Sequence, residues 1–173
     1  MIVEAFKDEY LRYKKLAERA IEQLTEDDLH KIIGEENNSV AIIVGHISGN
    51  LKSRFTDFLT SDGEKEWRQR DTEFEDSKLS KAEILKQIEI GWSVLIDTLE
   101  KLSDADLNST VTIRQKPLSV IEALTRSLAH TSYHVGQMIT IGKIILGKNW
   151  KTLSIPKGKS VEYNLNPSLE KFK

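Results

Sequence analysis

The sequence contains no cysteine among its 173 residues. This absence excludes disulfide bonds, thiolate metal ligands and a cysteine nucleophile. It also agrees with a cytoplasmic location, where thiols are kept reduced and disulfides are rare. We therefore expect a cytoplasmic protein whose catalytic or metal-binding groups are other side chains.

The sequence also lacks a strong net charge and a long apolar run. The formal net charge is −2 and the isoelectric point is near 6.1, so no overall positive field favours a nucleic-acid partner. No segment approaches the roughly 18 consecutive apolar residues that span a bilayer, and residues 1–15 lack the apolar core of a signal peptide. We expect no nucleic-acid partner, no membrane partner and one folded domain over residues 1–173.

Apolar residues recur every three or four positions in four long segments, which is the pattern of amphipathic helices that share one core. The sequence therefore predicts an all-α protein built as a four-helix bundle. The predicted helices cover about residues 3–24, about residues 39–59, a segment that begins at Ser80, and Pro117–Leu146.

Local signals support these helix boundaries. Ser39 is a predicted N-cap, and Ser80 forms a predicted capping box with Glu83. Pro117 is favourable in a first helical turn, and Gly147 can end the last helix.

Three segments fall outside the predicted helices. The polar connection at residues 61–78, with Trp67 and Phe74 as potential anchors, is longer than a usual bundle loop, which indicates a functional or partly disordered segment. Residues 110–113 are predicted as a short strand or an extended loop. The tail at residues 148–173 is predicted to be mostly irregular.

A weak internal repeat relates the two halves of the chain. Residues 24–29, after the first helix, resemble residues 102–107 after the third, and the segments around His46 and His130 resemble each other. Two related helix pairs would place His46 and His130 at equivalent points of the bundle.

Three histidines give the clearest indication of chemistry. His130 and His134 are four residues apart, so their imidazoles lie on one helix face, and His46 lies in another apolar helix. A third imidazole from a facing helix would complete a three-histidine site with open positions, which is typical of a catalytic metal site. The alternative is that all three are core or rim histidines with ordinary hydrogen-bond partners. His30 is predicted to be solvated and is not a candidate ligand.

Polar neighbours of these histidines are candidates for supporting roles. Asn50 follows His46 by four positions and Gln137 follows His134 by three, so either could orient a ligand or a bound water. Arg54 could pair with an anionic substrate group, although a position on the helix surface is the favoured interpretation. No carboxylate accompanies the histidine pair, so the motif contains no obvious general base.

At these residues the chain resembles the DinB-like superfamily of metalloenzymes, also called DinB/YfiT-like. The resemblance lies in Gly45–Ile47 on the second helix, in Ala129–Gln137 on the fourth, and in the closing stretch Trp150–Ser160. It covers nearly the whole chain.

The resemblance implies an up-up-down-down bundle in which the three histidines hold a divalent metal ion, usually zinc or nickel. Some members of the superfamily transfer low-molecular-weight thiols such as bacillithiol, others resemble metal-dependent hydrolases, and homodimers are common. We therefore expect a metal-dependent enzyme with a small-molecule substrate and a homodimeric assembly. The alternative is a non-catalytic helical protein that dimerises or binds a partner and keeps a vestigial metal site.

Overall fold

The computed structural model describes residues 1–167, and it contains the four long helices that the sequence predicts. Shorter elements fill the connections between them. In chain order the elements are α1 (Ile2–Gln23), α2 (Glu26–His30), α3 (Val40–Phe55), a 3-10 turn (Asp71–Phe74), α4 (Lys81–Lys101), a second 3-10 turn (Asp104–Asn108), β1 (Thr110–Ile113), β2 (Lys116–Ser119), α5 (Val120–Leu146), a third 3-10 turn (Gly147–Asn149) and α6 (Ser160–Leu165).

The core lies between α1, α3, α4 and α5, where their apolar stripes meet. Two buried aromatic side chains tie three of these helices together. Trp92 Nε1 donates a hydrogen bond to the Tyr10 carbonyl oxygen over 3.0 Å, and the Tyr10 hydroxyl donates to the Leu124 carbonyl oxygen over 3.1 Å. Each aromatic ring thus fills the core while its polar atom keeps a partner.

Contacts between the helices define their relative directions. Lys81 near the start of α4 binds the Leu24 carbonyl oxygen at the end of α1, and Lys7 near the start of α1 pairs with Glu100. Helices α1 and α4 are therefore antiparallel. Tyr10 in the first half of α1 binds α5 near its start, and Gln23 at the end of α1 binds Lys151 just after α5, so these two helices are parallel.

Helices α3 and α4 are parallel to each other. Ser48 lies against Gly91, where a Cβ atom would come within 2.7 Å of the Ser48 Cα atom, and the Phe55 carbonyl oxygen accepts from Thr98. The bundle is confirmed, but its order along the chain is up-down-down-up, which corrects the expected up-up-down-down order.

This order explains the length of the connection between α3 and α4. Helix α3 has 16 residues and is about 24 Å long. Because α4 runs in the same direction, the chain must return along the length of α3 before α4 begins. The return passes the side of α3 that carries His46, and the 3-10 turn at Asp71–Phe74 packs against this helix.

The start of α5 differs from the prediction. Pro117 lies in β2, which pairs antiparallel with β1 and places Thr112 opposite Pro117. The helix is instead capped by Ser119, whose side chain accepts from the Glu122 amide while Glu122 accepts from the Ser119 amide. A proline tolerates an edge strand because its missing N–H is not needed there, and the capping box is the stronger start signal.

One other helix boundary differs from the expectation, and two other segments agree with theirs. Helix α3 ends at Phe55 rather than near residue 59, and Asp57 then adopts a positive φ of 50°. Up to residue 167 the tail is mostly irregular, as expected, although it contains the end of a 3-10 turn, α6 and the buried Leu153; residues 168–173 lie outside the described part. Residues 110–113 form a strand, as one of the two expected alternatives.

The two junctions that resemble each other in sequence also resemble each other in structure. A capping box at Thr25 starts α2, and a capping box at Ser103 starts the second 3-10 turn.

Within residues 1–167, no helix combines the length and apolar character needed to cross a membrane.

Candidate metal centre

The three predicted histidines meet in the interior of the bundle. His46 projects from α3, and His130 and His134 project from one face of α5. The Nε2 atom of His130 lies 3.1 Å from Nε2 of His46 and 3.1 Å from Nε2 of His134. The candidate ligand atoms of the three residues all lie within 4.8 Å of one another. Three ring nitrogens thus face one point.

Hydrogen bonds to the opposite ring nitrogens determine the tautomers of two of these histidines. His46 Nδ1 lies 3.0 Å from Glu73 Oε2, and His134 Nδ1 lies 2.8 Å from Gln137 Oε1. Both partners are oxygen acceptors, so each Nδ1 carries the proton and each neutral ring keeps its lone pair on Nε2. Metal-binding histidines generally use their second nitrogen in this way.

The protein environment favours the neutral imidazoles of His130 and His134. Burial, together with the neighbouring His134, His46, Arg68 and Arg54, lowers the pKa of His130 to about 4. Burial also lowers the pKa of His134, although its hydrogen bond with Gln137 opposes this effect. Both rings are therefore uncharged near pH 7 and able to bind a cation.

A divalent cation fits this donor set. Nitrogen ligands about 2.0–2.1 Å from a tetrahedral zinc ion lie about 3.3 Å from one another, and two separations in the cluster are 3.1 Å. Without a cation, the lone pairs of His46 and His134 Nε2 both face the single nitrogen of His130, which can offer at most one proton. The three histidines could therefore bind a metal ion, as the sequence predicts.

The connection between α3 and α4 supplies a carboxylate that the sequence analysis missed. Glu73 accepts two hydrogen bonds of 2.8 Å from Arg68, through Nε and Nη2, and one from His46. Burial raises the pKa of Glu73, but these hydrogen bonds outweigh burial and lower it overall. Glu73 is therefore ionised at neutral pH and holds the His46 ring in place.

Gly49 leaves space for the Glu73 carboxylate, and Phe74 holds the same segment against His46. A Cβ atom on Gly49 would lie 2.2 Å from Glu73 Oε1, so only glycine leaves the space that the carboxylate occupies. The Phe74 ring packs on the His46 ring with their centroids 4.8 Å apart. Phe74 thus anchors the connection as expected, whereas Trp67 remains half exposed under the Lys52 ammonium group. The connection is therefore packed against α3 beside His46 rather than a loose loop.

The other predicted residues lie at different distances from the cluster. Gln137 binds His134 and donates to the Tyr133 hydroxyl over 3.1 Å, and Asn50 lines a pocket beside His46. The favoured surface position of Arg54 is wrong, because its side chain is only 12% exposed and pairs with Glu64. Arg54 follows His46 by eight positions, so helical periodicity predicts that both lie on the same side of α3. No local pattern in the sequence predicts that the connection between α3 and α4 covers Arg54.

The prediction for His30 is also wrong in part. His30 lies at the end of α2 and is partly buried, with Nδ1 2.6 Å from Asp76 Oδ1 and Nε2 2.8 Å from the Leu79 carbonyl oxygen. It is not solvated. It does remain outside the three-histidine cluster, as expected.

A pocket of about 160 Å³ opens beside His46 and His130. A small molecule in this pocket would lie next to His46 and His130. The pocket is lined by His46, Asn50, Arg54, Phe55, Phe58, Arg68, Arg70, Ile113, Arg114, Ala123, Arg126, Ser127 and His130.

A four-helix bundle with three convergent histidines defines a DinB-like protein with a possible metal site. Residues 1–159 match the model of the family described as "Protein of unknown function (DUF1572)", and the chain belongs to this DinB-like family. Its fold is similar to the crystal structure of a DinB-like protein from Bacillus cereus ATCC 10987, with a TM-score of 0.64. That likeness covers 82% of this chain and 91% of the other at 16% sequence identity, and therefore shows the fold alone. No curated protein matches the chain significantly.

Proposed function

We propose that the protein is a cytoplasmic, divalent-metal-dependent enzyme that acts on a small molecule. In this proposal His46, His130 and His134 hold the metal ion, with zinc or nickel as the expected metals. The observation that carries it is the pair of hydrogen bonds that His46 Nδ1 and His134 Nδ1 donate to Glu73 and Gln137, which leave the Nε2 lone pairs of both histidines directed at His130. An ordinary buried histidine needs no such convergence.

The open pocket favours a catalytic site over a purely structural one. Structural zinc sites are usually closed by four protein ligands, whereas catalytic sites keep a position for substrate or water. In the described residues, the three histidines are the only group of three or more potential ligands that meet at one point. The pocket reaches His46 and His130, so a substrate could approach the remaining positions from that side.

Thiol transfer is the reaction that this site supports best. A bound divalent ion would lower the pKa of a ligated thiol or water molecule and so supply an anionic nucleophile at neutral pH. Glu73 already serves Arg68 and His46, so this carboxylate is not available as a general base. A thiol such as bacillithiol needs no separate base once it is ionised, and Asn50 lies where it could orient a bound group.

Hydrolysis and a non-catalytic role remain competing proposals. A hydrolase would use the same cluster to activate water, and Asn50 in the pocket would then position that water. A non-catalytic homodimer or partner-binding protein would use exposed apolar side chains such as Tyr133 and Ile144 on α5. Only the catalytic proposals require the metal and the adjoining pocket together.

Metal content tests the proposal first. Elemental analysis of the untagged protein should find about one zinc or nickel ion per chain, and none in a variant that combines His130→Ala with His134→Ala. The His30→Ala variant is the matched control and should keep its metal. Absence of metal from the wild-type protein, even after reconstitution with either ion, would reject the proposal in favour of the partner-binding alternative.

A second measurement separates the two reactions. The metal-loaded protein is incubated with a low-molecular-weight thiol and an electrophile, and separately with a panel of small esters. Thiol consumption that disappears in the double variant supports transfer, whereas ester cleavage with the same dependence supports hydrolysis. Turnover of neither class by a metal-loaded protein would count against both.

A further inference from the structure

Five arginine side chains surround the pocket beside the histidine cluster. They come from four separate parts of the chain that are distant in sequence. Arg54 lies on α3, Arg68 and Arg70 on the following connection, Arg114 in the β1–β2 turn, and Arg126 on α5. The whole chain carries a net charge of −2, so this concentration of positive charge is local.

Carboxylates neutralise only part of this charge. Glu64 is shared by Arg54 and Arg114 at 3.1 and 3.0 Å, and Glu73 pairs with Arg68. Within residues 1–167, Arg70 and Arg126 form no ion pair with a carboxylate.

One further carboxylate lies near these groups but is already in use. Asp62 accepts hydrogen bonds from the backbone amides of Glu64, Arg114 and Gln115. Its charge therefore stabilises the β1–β2 turn and is not directed at a guanidinium group. The pocket is left with an excess of positive charge.

The buried guanidinium group of Arg68 has an unused donor. Its side chain is only 2% exposed, and Nε and Nη2 bind Glu73, but the buried Nη1 has no hydrogen-bond partner. Leaving a buried donor without a partner costs about 1–3 kcal/mol, and more for a charged group. Since Arg68 lines the pocket, an acceptor placed there would satisfy this nitrogen.

The electrostatics of Arg54 point to the same conclusion. Burial lowers its pKa, and the positive charges of Arg68 and Arg114 lower it further, although Glu64 opposes this effect. Three guanidinium groups are thus close enough to repel one another. An anion in the pocket would relieve this repulsion.

We propose that this arginine-lined pocket binds a carboxylate or phosphate group of the small-molecule substrate. This inference rests on the proposed function, because it places the anionic group beside the metal cluster. Arg68 Nη1 donates at the buried end of the pocket, and the exposed Arg70 and Arg126 close around the anion from the solvent side. Guanidinium groups suit both oxyanions, since their forked donors match carboxylate and phosphate oxygens.

The size of the pocket fits an anionic group or one end of a small metabolite. Its volume of about 160 Å³ is below the roughly 300 Å³ at which pockets for drug-sized ligands begin. His46 and His130 line the same pocket. A substrate held by its anionic end would therefore present its next few atoms to the histidine cluster.

Titration calorimetry with two simple probes tests the inference. Inorganic phosphate and succinate are titrated at constant ionic strength into wild-type protein and into a variant that combines Arg70→Gln with Arg126→Gln. The control variant combines Arg12→Gln with Arg19→Gln, which removes the same charge from α1, a helix that contributes no residue to the pocket. Each protein is measured both metal-loaded and after chelation, and its metal content is recorded.

At least one probe should bind the wild-type and control proteins, and should bind the pocket variant about tenfold more weakly or worse. Tighter phosphate binding identifies a phosphate-bearing substrate, and tighter succinate binding a carboxylate-bearing one. Failure of both probes to bind, or equal binding to the pocket and control variants, would overturn the inference. If the chain holds no metal but anion binding still depends on Arg70 and Arg126, the metal proposal fails while the anion pocket stands. If the chain holds a metal but anion binding does not depend on Arg70 and Arg126, the metal proposal stands and the anion pocket is rejected.

Discussion

His30 and His46 both bind a carboxylate from the same connection, yet they have different surroundings. His30 Nδ1 lies 2.6 Å from Asp76, and His46 Nδ1 lies 3.0 Å from Glu73, three residues earlier in the chain. Nε2 of His30 faces the Leu79 carbonyl oxygen over 2.8 Å, whereas Nε2 of His46 faces another imidazole.

The second ring nitrogen therefore distinguishes the two histidines. A ring whose two nitrogens both meet oxygen atoms is fully used within the protein and can only tie segments together. A ring whose second nitrogen faces other imidazoles has a lone pair available for a cation. The connection at residues 61–78 is thus attached to the bundle at one structural histidine and at one histidine of the candidate metal centre.

Replacing each of these histidines with alanine should give the largest contrast. His46→Ala removes one of three potential ligands, so the purified protein should lose its metal. His30→Ala should retain the metal and instead lose about 1–2 kcal/mol of unfolding free energy, because Asp76 and the Leu79 carbonyl oxygen lose a buried partner. Elemental analysis and urea denaturation check the two outcomes. Equal metal loss in both variants would remove the distinction between the two histidines.

Exchanging the two carboxylates for amides should give the next largest difference. Glu73→Gln weakens the acceptor that orients His46 and should lower metal affinity about 10–100-fold. Asp76→Asn changes the corresponding partner of His30 and should leave metal affinity unchanged. Competition with a chromogenic chelator measures both affinities on the folded proteins.

Glu73→Gln also disturbs the buried Arg68 ion pair, so its stability must be measured separately. Circular dichroism establishes that the variant is folded at the temperature of the metal titration. A folded Glu73→Gln protein with wild-type metal affinity would show that Glu73 serves Arg68 alone.

The difference between Glu73 and Gln137 shows what the sequence could reveal about the site. Gln137 follows His134 by three positions on one helix, so helical periodicity alone predicts their contact. Glu73 is 27 residues from His46 and reaches it only because the connection returns along α3. No local pattern encodes that return, since it depends on α3 and α4 being parallel.

The fold shows the same limit. The apolar stripes predict α1, α3, α4 and α5 and their common core, because burial of an apolar face has a local period. The helix directions depend on long-range packing, such as the close approach of Gly91 to Ser48, and the expected order was wrong. Pro117 is compatible with either an edge strand or a first helical turn. The capping box of Ser119 and Glu122 starts α5 after it, so Pro117 lies in the strand.

A third carboxylate of the connection, Asp62, serves no histidine and provides a purely structural reference. Burial raises its pKa, but hydrogen bonds from the amides of Glu64, Gln115 and Arg114 outweigh this and lower it to about 2. Arg114 and Gln115 both have positive φ, so the Asp62 carboxylate stabilises a turn that these residues rarely adopt. Asp62→Asn should cost about 1 kcal/mol at pH 7 and leave metal affinity unchanged.

The pH dependence of this effect follows from the lowered pKa. The contribution of Asp62 is fully present above its unfolded pKa of about 4 and is lost as the pH falls toward about 2. The stability difference between the wild-type protein and Asp62→Asn should therefore shrink across that interval. A difference that stays constant from pH 6 to pH 2 would show that the carboxylate charge does not hold the turn.

The smallest expected effect tests whether a steric clash with Glu73 is enough to weaken metal binding through His46. In Gly49→Ala the new methyl group would lie 2.2 Å from Glu73 Oε1, so the carboxylate must move away from His46. Metal affinity should fall a few-fold, and by no more than about tenfold, because a displaced Glu73 still carries its charge. Helix α3 itself should gain up to about 1 kcal/mol, since alanine favours a helix interior over glycine.

Gly136→Ala is the matched control, because a Cβ atom at Gly136 meets no atom within 4 Å although this residue lies two positions after His134. It should give the same helix stabilisation and leave metal affinity unchanged. Parallel metal titrations and thermal melts of both variants separate the two effects. Weaker metal binding together with unchanged or higher stability, in Gly49→Ala alone, would show that the position of Glu73 tunes the cluster. Equal affinities in both variants would mean that the position of the Glu73 carboxylate does not affect metal binding.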